Sequence, residues 1–177
     1  MFDWLTGRRK REELFAAEMM KAAAAGQKLA SLRSALSTLG VILPKDHPSP
    51  SFVAEAASGL THTMLRTVGK SISDDDVLFT AGLFVFVAAN HFSFQVAEPF
   101  EESASLAVAV LVGPSPTEFA RAHTAIVDAY NSMSKADSPT LLAIGKTIAR
   151  WTASPSAENY ASLCELFSLC IANVKPT

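Results

Sequence analysis

The stretch Val77–Ala89, VLFTAGLFVFVAA, is the longest nearly unbroken apolar run in the chain, and its reading decides the fold. Ser73 and then Asp74, Asp75 and Asp76 stand immediately before it. This order predicts a helix start with Ser73 as N-cap, its hydroxyl accepting from a free backbone N–H and the carboxylates lying at the positive end of the dipole. Phe79, Phe84 and Phe86 fall on different sides of such a helix, which is therefore apolar nearly all round. A helix of that kind is wrapped by others or lies in a bilayer. A bilayer span takes about 20 predominantly apolar residues, and this run reaches Asn90 and His91 first. It reads as the central helix of a bundle, over residues 74–92, with no transmembrane segment.

Outward from that run, the chain announces its helices by their ends. Ser49-Pro50, Ser115-Pro116, Ser138-Pro139 and Ser154-Pro155 each place a hydroxyl cap before a proline. The proline lacks the N–H that would go unpaired, and its φ already suits a helix. Glu118 three residues after Ser115 completes a capping box. Gly40 and Gly69 read as residues just past helix ends, and Gly113-Pro114 closes a helix that Pro99, Glu101 and Glu102 begin. Leu106–Val112, LAVAVLV, is β-branched enough for a strand but has no strand partner elsewhere, so it reads as helix. The predicted second helix carries Phe52, Ala56, Leu60, Met64 and Val68 on one face. Later stripes run Phe119, Ala122, His123, Ile126, Tyr130, Met133, then Leu141, Ile144, Ile148, Thr152, then Tyr160, Leu163, Phe167, Ile171. The fold class is all-α, one domain of about seven helices over residues 11–177, with residues 1–10 a flexible apolar and basic tip.

Composition narrows the function. At 177 residues the chain can bury a sizeable core, and 49% hydrophobic against 18% charged residues suggests an apolar face left for a partner. A net charge of −2 argues against nucleic acid, whose binders usually carry a basic excess. Cys164 and Cys170, six apart on one predicted helix, point in different directions and read as free thiols in a reducing compartment. The basic run Arg8, Arg9, Lys10, Arg11 leads into a charged helix and not into the apolar region of a signal peptide. The inference is a cytoplasmic protein.

Motifs for metal, phosphate or nucleophilic chemistry are missing: there is no Glu-x-x-His, His-Glu-x-x-His, Cys-x-x-Cys, glycine-rich phosphate loop or Gly-x-Ser-x-Gly. The candidate ligand-binding residues are His91 and Asn90 at the end of the apolar run, Glu98 just after it, Phe84 within it, and His123 on an apolar stripe. His91 and His123 could share a pocket for a small molecule, a metal or haem if folding brings them together. His62, between Thr61 and Thr63, reads as part of a solvated face.

Two resemblances bear on these residues. His62 and His91, with Glu98-Pro99 following, resemble the distal histidine, proximal histidine and next helix start of globins, and Glu118-Phe119 with His123 is loosely similar to the last globin helix. The likeness implies His91 as haem ligand and His62 facing the bound gas. No phenylalanine stands where globins place one before the distal histidine, and the helices after Ser138 have no globin counterpart. Ile148–Trp151 with Pro155–Asn159 resembles the end of a phage-repressor helix-turn-helix, but the turn is too short and basic residues are sparse.

At the N-terminus Phe2, Trp4 and Leu5 beside Arg8, Arg9, Lys10 and Arg11 combine an apolar anchor with positive charge, which suits an acidic protein groove or peripheral contact with an anionic membrane. Leu29, Leu32, Leu36 and Leu39 follow a/d spacing and predict a seam, against the chain's own bundle or between two copies of a homodimer. The expectation from sequence is a non-catalytic helical interaction module, working by self-association or by docking to a protein partner.

Overall fold

A computed structural model describes residues 17, 20, 24, 26–43 and 49–173. Helix α1 covers 26–38, and residues 17, 20 and 24 upstream are helical too. There follow α2 (Pro50–Val68), α3 (Asp75–Val96), α4 (Phe100–Val112), α5 (Pro116–Lys135), α6 (Pro139–Ala153) and α7 (Ala157–Asn173). No strand occurs among the described residues, and Leu106–Val112 is helical.

The end signals act largely as their chemistry dictates. Ser49 Oγ accepts from Phe52 N at 3.2 Å and Ser115 Oγ from Glu118 N at 3.4 Å. Gly40 and Gly69 close their helices at φ +73 and +66, a left-handed conformation that costs glycine little. Three starts differ from expectation. Asp74, not Ser73, is the N-cap of α3, because the Ser73 hydroxyl donates instead to Ser71 Oγ at 3.0 Å. Ser138 caps α6 without a side-chain hydrogen bond. Ser156 rather than Ser154 serves α7, its Oγ accepting from Asn159 N at 3.2 Å. α3 also runs past Asn90 and His91 to Val96, because one polar turn does not stop a helix whose next residues, Phe92 and Val96, still pack into the core.

α3 is the axis of the bundle. It packs against α2, α4, α5, α6 and α7, which bury it on nearly every side. By length and composition alone α3 could cross a membrane; 72% of its most apolar window is buried inside the protein, as befits a core helix. Its phenylalanines hold separate walls. Phe84 meets Phe167 of α7 edge-on at 4.9 Å, and Phe86 meets Phe100 at 5.2 Å and Tyr130 at 4.8 Å. α2 and α4 approach closely through Ala57, Ser58, Ala104 and Ala107, all buried, where Ser58 Oγ donates to Ala107 O at 2.8 Å. Gly59 of α2 has no room for a side chain: a Cβ there would stand 2.6 Å from Val41 Cγ1.

The α1 seam faces inward. Leu32 and Leu36 are fully buried in the chain's own core, with Leu29 and Leu39 packed against it. Leu32 and Leu36 therefore pack within the chain's own bundle. Cys164 and Cys170 are both free thiols.

Candidate functional site

α5 and α6 are joined by a tight turn at 136–138 and diverge from it, leaving a cleft of about 650 Å³ with α3 as its floor. Each wall is one helical stripe: Val87, Asn90, His91 and Phe94 from α3, Tyr130 and Met133 from α5, and Leu141, Leu142, Gly145, Lys146 and Ala149 from α6. The spacing of three and four residues means that three helices each turn a complete face towards one space. Phe94 is 80% and Leu142 57% exposed, large apolar side chains at the rim of an apolar-floored cleft.

His91 forms part of the floor and is held by its neighbours. Its Nε2 lies 2.8 Å from Gln95 Nε2 and 3.4 Å from Thr152 Oγ1. The Thr152 hydroxyl donates to Ile148 O. The His91 ring and the Gln95 amide thus share one hydrogen bond, whose direction follows the ring tautomer. Burial pushes the His91 pKa below its ordinary value, which keeps the ring neutral. Asn90 Nδ2 donates to Tyr130 Oη at 3.1 Å and ties α3 to α5 at the edge of the cleft. Asp137, at φ +48 in the α5–α6 turn, and Lys146, two turns into α6, are the charged groups of the lining.

The remaining sequence candidates stand apart from this cleft. His123 Nε2 bonds Ser105 Oγ at 3.1 Å and its ring lies 5.2 Å from Phe119, so it braces α5 against α4 and does not line the cleft with His91. His62 Nδ1 is 2.9 Å from the carbonyl of Ser58 on its own helix. His62 is not among the residues that line the cleft with His91. Glu98 is half-buried after the end of α3 and does not line this cleft. Phe84 belongs to the core against Phe167 and borders a different cavity. Phe2, Trp4, Leu5, Arg8, Arg9, Lys10 and Arg11 lie outside the described residues. Among the described residues no group of three or more His, Cys, Asp or Glu could hold a metal ion.

Sequence reasoning picked Asn90 and His91 but passed over Phe94, Leu142, Asp137 and Lys146. A signal existed for Leu142: it stands beside Leu141 but off the stripe of Ile144, Ile148 and Thr152, an apolar residue the core does not claim. No protein-family model, curated protein or solved structure matches this chain.

Proposed function

We propose that this protein is a non-catalytic binding module that docks an amphipathic α-helical segment of a partner protein in the α3–α5–α6 cleft. The observation that carries the reading is the exposure of Phe94 and Leu142 on a cleft walled by three helical stripes. The α6 wall from Leu141 to Ala149 is about 12 Å long, two turns of a docked helix. Grooves of this form take the apolar face of an amphipathic helix through side chains spaced i, i+3 or i+4, and i+7. Asp137 at one end and Lys146 two turns along set the charges: the occupant carries a cation near the α5–α6 turn and an anion further along. The neutral His91 ring and the Asn90–Tyr130 pair supply polar contacts on the floor.

The test is site-specific photo-crosslinking in cells, with benzoylphenylalanine replacing Leu142 and, as a control, Glu165 on α7. The expected product joins position 142 to a helical segment of a different protein, and Phe94→Ser removes it. Crosslinks only to a second copy of this chain, equal capture from position 165, or survival of the product in Phe94→Ser would overturn the proposal.

A further inference from the structure

His91 stands where α3 meets α6, on the floor of the cleft, and its Nε2 faces two side chains that ask opposite things of it. Gln95, one turn along α3, presents its amide nitrogen at 2.8 Å, and an amide nitrogen can only donate. Thr152 of α6 presents its hydroxyl oxygen at 3.4 Å, and the one proton of that hydroxyl is already given to Ile148 O. Towards His91 the threonine can therefore only accept. A bare Nε2 suits Gln95 and a protonated Nε2 suits Thr152. The distances divide in the same way: 2.8 Å is a full hydrogen bond, while 3.4 Å is longer than the usual range. Thr152 is 2% exposed and His91 half-buried, so the choice between the two partners is made largely out of water.

Charge around the ring is sparse. The cleft lining contributes Lys146 from α6 and Asp137 from the α5–α6 turn, and α5 adds Tyr130, whose hydroxyl accepts from Asn90. Lys28 of α1 lies 5.6 Å over the ring of Phe94, and Glu98 follows the end of α3. α2, α4 and α7 bring no residue to the lining. Burial, and not a charged neighbour, lowers the His91 pKa, so the ring takes up its second proton only below about pH 6.5.

We propose that His91 is a proton-operated switch between α3 and α6. Neutral, the ring accepts at Nε2 from Gln95 and stays paired within its own helix. On taking a proton from water it carries N–H groups on both nitrogens, leaves the Gln95 amide nitrogen and donates from Nε2 to Thr152 Oγ1. Acid thereby fastens the α6 wall to α3 and turns a neutral cleft floor cationic. The switch needs no partner protein, so it stands or falls apart from the docking reading.

The test is an NMR titration of the full-length protein from neutral to acid pH, following the histidine ring nitrogens, the Gln95 side-chain amide and the methyl groups of Thr152 and Leu142. Above the midpoint the His91 ring should carry its proton on Nδ1 with Nε2 bare. The Gln95, Thr152 and Leu142 signals should then shift with the ring through one common midpoint. Thr152→Val keeps the shape and removes the acceptor of the charged ring, so it should lower the midpoint by about one pH unit, the scale of one hydrogen bond to a charged group; Thr152→Ser should restore it. Gln95→Met removes the partner of the neutral ring and should raise the midpoint, whereas a side chain that only buried the ring would not. Circular dichroism checks that each variant is folded, and the tautomer and the Gln95→Met midpoint decide the matter even if Thr152→Val fails to fold. A neutral ring with its proton on Nε2, midpoints unmoved or moved in the same direction by both substitutions, or Thr152 and Leu142 methyls that ignore the titration would each overturn the proposal.

Discussion

Gly82 lies in the middle of α3 where Ile126 of α5 presses against it, and replacing it by alanine sets two effects of known size against each other. A Cβ at position 82 would stand 2.6 Å from Ile126 Cγ1 and closer still to its Cδ1. Ile126 is 1% exposed, and a β-branched side chain in a helix has little freedom to rotate away. Overpacking of this kind costs about 1–3 kcal/mol, while alanine gains about 1 kcal/mol over glycine in a helix interior. The clash wins, and Gly82→Ala should lose about 1 kcal/mol of stability. Ile126→Ala alone should lose about 2–5 kcal/mol, through lost burial and the cavity it leaves. In that second background both close atoms are gone and the nearest remaining, Ile126 Cβ, is 3.7 Å away. Gly82→Ala should then stabilise by about 1–2 kcal/mol, from helix propensity and a newly buried methyl. The same substitution thus changes sign between backgrounds, a coupling of about 2–3 kcal/mol. Urea unfolding followed by helical circular dichroism measures it directly. A gain in stability from Gly82→Ala in the parent protein, or an equal loss in both backgrounds, would refute the account of how α3 and α5 meet.

Two further outcomes follow from burial. Leu32→Asp should give an unfolded or aggregated protein, because the position is fully buried in the chain's own core and an unpaired carboxylate would be sealed there; a folded monomer by light scattering and circular dichroism would contradict this. The lowered pKa of His91 makes the unfolded chain the better proton binder, so the stability tied to its neutral ring is fully present above about pH 6.5 and is lost as the pH falls through that value towards the folded pKa; His91→Gln should show a smaller loss over that window, and an identical pH profile would exclude the assignment.

What the sequence by itself determined is local. Serine caps, prolines at first turns and glycines past last turns specify backbone conformations that depend on immediate neighbours. The limits of α2 and α4 and the starts of α5 and α6 were therefore legible, and so was an α3 apolar on every side. Where a side chain had competing local partners the sequence was ambiguous, as when Ser73 bonded Ser71 rather than capping α3, and Ser156 rather than Ser154 capped α7. The stripe Leu29, Leu32, Leu36, Leu39 predicted a buried seam without saying whose core it joined, since the same spacing packs equally well within a chain or between two. Tertiary structure decided that, and it decided the site. His91 and His123 each read as candidates, yet α5 turns His123 to Ser105 while α3 leaves His91 on the floor of the cleft with Asn90. The exposure of Phe94 and Leu142 and the approach of Thr152 to His91 depend on how α5, α6 and α7 pack around α3. Those arrangements are set by contacts between residues distant in the chain, and no local preference encodes them.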